Sequence, residues 1–333
     1  MRRREFLTIA AAPVALAFLP KGCRQMLEPT RSSRGADGRR PPDRGTLAFV
    51  TADLQAHVVV ASTADGRVRR RIATDEGPGS IEAAPGQAIV AHPDSGVVSL
   101  LDTSAMEVRR VLEGFGEPAY TAVAPGARYA YVSDSGLGEL AVIRLQDGRV
   151  VARAPVGHDA RHLSIAPDGQ TLWVALGKRA PEVLAVSLSE PERPRVQSRL
   201  ELPFLAHDVV CAPDGRRLWV TSGTERRIAL YRPGRPAPLT TVPSDAAPQH
   251  VRFGHGKAFV ASGDDGALVT HDAVSATVEN RDRLPLGSYN ISGLGDLIVS
   301  PSLEQGTVTL ADRSGRVLLS RKIADAAHDA CLV

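Results

Sequence analysis

The chain has 333 residues, of which 43% are apolar and only 4% aromatic, with 30 Gly and 24 Pro. Its formal net charge is +3; much of the basic excess lies in the first 44 residues and the remainder is slightly acidic, so no nucleic-acid footprint is expected. Three cysteines (Cys23, Cys211, Cys331) are too few and too scattered for a disulfide framework, and abundant Gly and Pro with few aromatics suit short strands joined by tight turns.

Residues 1–23 read MRRREFLTIAAAPVALAFLPKGC. Arginines at 2–4 precede Phe6-Leu7 and an apolar run to Leu19. This is the three-part layout of an export signal, too short and wrongly flanked for a stable membrane span. Arg3-Arg4 with Phe6-Leu7 resembles the twin-arginine signal pattern, which implies export to the periplasm or cell surface. No clean Ala-x-Ala stands near Leu19. Gly22-Cys23 is similar to a lipoprotein site, which makes Cys23 a candidate lipid anchor, although Pro20 and Lys21 stand where small or apolar residues are expected. Residues 1–22 are read as the signal. Residues 23–45, rich in Arg, Pro, Gly and Ser without apolar periodicity, are read as a disordered basic linker.

From residue 46 onward the chain repeats itself. Ala-Pro-Gly or Ala-Pro-Asp-Gly turns begin at Ala84, Ala124, Ala166 and Ala212, with degenerate copies at Gly254 and Gly293. The step is roughly 40 residues, the range of propeller blades. A second marker runs from Asp65-Gly66-Arg67-Val68 to Ser314-Gly315-Arg316-Val317 and spans six steps, hence seven units. In the unit near residue 170 the strands are expected at 162–166, 171–175, 183–187 and 195–200. Asp-Gly and Ser-Gly are hairpin turns because Gly takes positive φ freely. The second strands (129–132, 172–175, 218–221, 258–261) are nearly continuous apolar runs, as in a strand buried on both faces. Residues 46–51, TLAFVT, match a second strand with no first strand before it. Residues 328–333, HDACLV, match a first strand with nothing after it. The expectation is an all-β, seven-bladed β-propeller over 46–333, with four-stranded blades and the ring closed by the C-terminal strand joining the first blade.

The units resemble the YVTN-type repeats of the YncE-like seven-bladed propellers. Tyr131-Val132-Ser133-Asp134, Trp173-Val174-Ala175, Trp219-Val220-Thr221-Ser222 and Phe259-Val260-Ala261-Ser262 stand where that family writes Tyr-Val-Thr-Asn. The resemblance covers about 46–333 and speaks to fold more than to activity. The family includes binders, lactonase relatives and enzyme-associated propellers.

Propeller chemistry gathers where the chain approaches each first strand, at the channel mouth. The polar residues there are Ser80 and Glu82, Tyr120, His158-Asp159, Arg161-His162, His207-Asp208, Gln249-His250, Tyr289-Asn290 and His328-Asp329. Aligned on the turns, His162, Asp208, His250 and Asp329 are equivalent. Arg161, His162, His207, Asp208, His250, Tyr289, His328 and Asp329 form the candidate ligand-binding set. Imidazoles and carboxylates around one axis can hold a metal or an anion, supply a general base, or satisfy main-chain groups. Gly263-Asp264-Asp265-Gly266 lacks the alternating ligands of a calcium loop and reads as a turn. No nucleophile elbow, phosphate loop, zinc-protease helix, dinucleotide fingerprint or haem-attachment motif is present in the sequence. The leading expectation is therefore a monomeric, exported, non-catalytic binding module for a small ligand or protein partner. A lactonase-like hydrolase using a metal or a His/Asp pair is the second reading. An accessory propeller handling a metal or redox cofactor for an oxidoreductase is the third. The sequence names no cofactor.

Overall fold

A computed structural model describes residues 45–333; the signal, the linker up to Arg44 and Cys23 lie outside the described residues. Seven four-stranded antiparallel sheets form in the described residues, as the repeat predicted. Blade 4 carries Ala160–Ile165, Thr171–Leu176, Val183–Ser187 and Arg195–Arg199, within two residues of the expected bounds. The innermost strands of blades 2 to 7 are Ile81–Ala84, Pro118–Val123, Ala160–Ile165, Val209–Cys211, Val251–Gly254 and Ser292–Leu294. Blade 1 takes its innermost strand, Ala330–Leu332, from the far end of the chain, paired antiparallel with Leu47–Ala52. Val333 and Leu47 exchange main-chain hydrogen bonds of 2.8 and 2.9 Å there.

The second strand of each blade is sandwiched between neighbouring blades, which explains its apolar run. Tyr129–Asp134 is buried along its whole length. Trp219 sits fully buried in blade 5, edge-on to Phe253 of blade 6. The outermost strands meet water and are polar; Arg195–Arg199 is exposed at every position. Cys211 and Cys331 are buried free thiols on blades 5 and 1.

Three hydroxyls in these second strands fix the inner strands. Thr51 Oγ1 accepts from the Asp329 N–H at 2.9 Å and donates to the Gly79 carbonyl of the next blade at 2.7 Å. Ser133 does the same between Tyr120 and Arg161, and Thr221 between Asp208 and Gln249. Each hydroxyl satisfies one donor and one acceptor that burial would otherwise leave unpaired. Their effect is positional, because the bonded residues adjoin or belong to the layer at the channel mouth.

Candidate functional site

The site is built from one residue per blade, the one just before the inner-strand residue that pairs with a valine at the same place in each second strand (Val50, Val90, Val132, Val174, Val220, Val260 and Val299). Strand pairing places Asp329, Ser80, Tyr120, His162, Asp208, His250 and Ile291 at this level on blades 1 to 7. All but Ile291 carry a polar side chain, and all seven residues line one cavity of about 440 Å³ on the ring axis.

Three of the four expected histidines converge. His162, His207 and His250 each bring a ring nitrogen within 4.8 Å of the other two. Their ring centroids lie 4.8 to 5.2 Å apart, and the Tyr120 ring packs 4.3 Å from His162. His162 is 2% exposed. Its Nδ1 and the Nε2 of His207 are buried without a hydrogen-bond partner in the protein. These two nitrogens and the third imidazole beside them are placed to share one ligand, which would satisfy both.

The remaining contacts orient the rings. The Tyr120 hydroxyl lies 3.5 Å from His250 Nε2, and His250 Nδ1 lies 3.6 Å from Asp208 Oδ2. The other side of His207 bonds the Lys178 main chain. His207 comes from the connection before blade 5, not from the strand itself. It lies against Gly223, where an added Cβ would sit 3.1 Å from the His207 Cβ. Gly223 also has φ +69, so a side chain there is disfavoured twice.

The electrostatics favour neutral imidazoles. Burial lowers all three histidines; His207 falls to about 4, and the other two go well below their ordinary value. Mutual repulsion adds to this for His162 and His250, and the Arg161 guanidinium acts on all three. Arg161 itself lies over the Tyr120 ring, 5.6 Å from its centroid. The carboxylates behave oppositely. Burial raises Asp208 to about 7, although its oxygens accept from the Val209 and Val251 N–H groups. Asp329 is raised by burial to about 6 and accepts from Ile81 and Ala330 in the same way. Asp208 and Asp329 thus play one structural role, tying their own inner strand to the next blade's.

Two expected residues lie elsewhere. His328 turns toward Asp53, with Nδ1 3.4 Å from Oδ2, and offers only its carbonyl inward, to Asn290. Tyr289 points to the rim, where its hydroxyl bonds Glu304 and Asp264 and its ring covers Gly263 so closely that a Cβ would come within 2.4 Å. Asn290, one residue on, lines the channel instead. His158 and Asp159 are exposed on the surface. Gly263–Gly266 is a turn: Asp265 accepts from Ala247 and pairs with Arg226. Arg252, absent from the expected set, lines the cavity; its signal was parity, two residues after His250 on the same strand.

No protein-family model and no curated protein matches the chain. Similar solved structures include a functionally unknown protein from Desulfotomaculum acetoxidans DSM 771. The match has 12% identity and a TM-score of 0.73 and covers 86% of this chain and 98% of that one. Hydrazine synthase of Kuenenia stuttgartiensis matches at 17% identity and TM-score 0.67, covering 82% and 94%. A Bacteroides fragilis NCTC 9343 protein provisionally named a 6-phosphogluconolactonase matches at 10% identity and TM-score 0.70, covering 89% and 100%. At these identities the likeness extends to the propeller fold alone.

Proposed function

We propose that this chain is an exported propeller that binds a divalent transition metal, of the zinc or copper kind, at the mouth of its central channel. The observation that carries the reading is the convergence of the His162, His207 and His250 rings, with His162 Nδ1 and His207 Nε2 buried and unpartnered. Three imidazoles suit zinc and copper, and neutral rings need lose no proton on binding. Asp208 beside His250 Nδ1 supplies the outer carboxylate that commonly orients a ligating histidine. His162 and His250 both line the 440 Å³ cavity, so a metal held by these rings would be reached from it.

Binding is favoured over hydrolysis within this layer because each of its carboxylates already accepts two main-chain N–H groups. Purified protein dialysed against zinc or copper is expected to retain about one metal per chain by elemental analysis. Retention of the same amount by His162→Ala would remove the reading. Export is part of the proposal and is supported by Arg3-Arg4 ahead of Phe6-Leu7. In cell fractionation, Arg3→Lys with Arg4→Lys is expected to hold the precursor in the cytoplasm; unchanged secretion would refute the twin-arginine route.

A further inference from the structure

Beneath the histidine layer the channel holds two charged side chains that the metal reading leaves unused. Alternation along the inner strands returns a residue to the channel two positions on. At that level Ala122, Val210 and Gly293 are small or apolar, whereas Glu82 on blade 2 and Arg252 on blade 6 are charged. Blades 2 and 6 stand three places apart around a seven-bladed ring, so the two groups approach the axis from different sides.

The carboxylate and the guanidinium share the 440 Å³ cavity and act on each other electrostatically, yet no ion pair joins them among the described residues. Glu82 accepts no hydrogen bond from a described residue. Arg252 Nη2 donates to the Gly293 carbonyl at 2.9 Å, which braces the guanidinium against the wall of blade 7. Both side chains are exposed to the solvent of the channel. The protein packed around the channel and the nearby Asp329 push the Glu82 carboxyl up to about 7, with Arg252 pulling the other way. The two opposite charges face one cavity without neutralising each other, which leaves both free for a ligand. A lone anion at Arg252 would meet repulsion from Glu82, and a lone cation at Glu82 would meet it from Arg252. A molecule carrying both charges meets neither. The cavity also lies in the size range of small-molecule sites.

We propose that the channel below the histidine layer binds a small zwitterion of the amino-acid type, its carboxylate on Arg252 and its ammonium on Glu82. The site uses none of the three histidines, so it stands whether or not a metal occupies the mouth.

Calorimetric titration of metal-free protein at pH 8 tests this with glycine, β-alanine and γ-aminobutyrate, which step the two charges apart, and with acetate and methylammonium as single-charge controls. At least one amino acid is expected to saturate, about ten-fold or more tighter than either control, with Arg252→Met and Glu82→Gln each weakening it about ten-fold or more. Acetate binding as tightly as the best amino acid would overturn the proposal, and so would no saturable binding of any amino acid up to about 10 mM. The selectivity of the wild-type chain decides the matter even if a variant folds poorly. Metal-free protein keeps this outcome separate from that of the metal reading.

Discussion

Zinc or copper affinity is expected to change little between pH 8 and pH 5. Three ordinary histidines, each with a pKa near 6.5, would lose about 30-fold apiece at pH 5, on the order of 10⁴-fold together. Here the metal-free rings already resist protonation. His207 is held at about 4, and His162 and His250 lie well below their ordinary value. The same lowering sets the sign of the stability change. An unfolded histidine takes its proton near pH 6.5 and the folded one does not, so this contribution is whole above 6.5 and is lost as pH falls toward 4. Asp208 and Asp329, raised to about 7 and 6, work in the other direction. Their contribution is whole below their unfolded values near 4 and is lost as pH rises through 6 to 7. The two groups therefore oppose each other across one window, which keeps the apoprotein folded for the measurement. Competition titrations at pH 8, 6.5 and 5 should give nearly equal affinities for wild type. Loss of any one ring, His207→Ala included, should weaken binding more than the 10- to 100-fold typical of an outer-shell change. A 10³-fold drop for wild type between pH 8 and 5 would show that the rings titrate normally and that the site is misread.

A chain ended after Asp329 is expected to lose most of its stability. Ala330, Cys331 and Leu332 are 1%, 2% and 5% exposed and pack into the seams between blade 1 and both its neighbours. Their burial is worth roughly 4 kcal/mol, and the lost main-chain pairing with Leu47–Ala52 brings the deficit to about 5. Domains of this kind have about 5–15 kcal/mol in total. Urea unfolding should show a midpoint lowered by a third or more. Gel filtration should show self-association, because the bared edge of Leu47–Ala52 offers unpaired main-chain groups to a second copy. An unchanged midpoint would mean that the closing strand is ornamental.

The architecture was legible because its determinants are local and repeated. Asp-Gly turns fix hairpins, and a strand buried on both faces must be apolar throughout, so Leu172, Trp173 and Val174 announce their place without tertiary information. The site was legible only in part. Repeat alignment gives the level of a side chain on the axis, and His162, Asp208, His250 and Asp329 do share one level. It does not give the direction of residues in the connections before the strands. His207 and His328 hold the same place relative to Asp208 and Asp329, yet they diverge. The Ala180–Ala206 bridge shapes the approach of His207 beside Gly223, whereas Asp53 draws His328 aside. Those partners sit in other segments and leave no mark near either histidine. Tyr289 fails for a similar reason, since the rim pair Asp264 and Glu304 lies about a blade's loop away on either side.

The pairing of Leu47 with Val333 is that of a hairpin whose turn is missing. Each residue already donates to the other's carbonyl, so a two-residue Asn-Gly link would join them with the geometry other hairpins use. Residues 47–333 so joined, cut free of the segment before them, could be opened instead at a turn such as Asp214-Gly215 and would thread the same seven blades in rotated order. Nothing in the hydrogen bonding marks one blade as first. Among the described residues the blades form a ring with one covalent break, and that break can be moved.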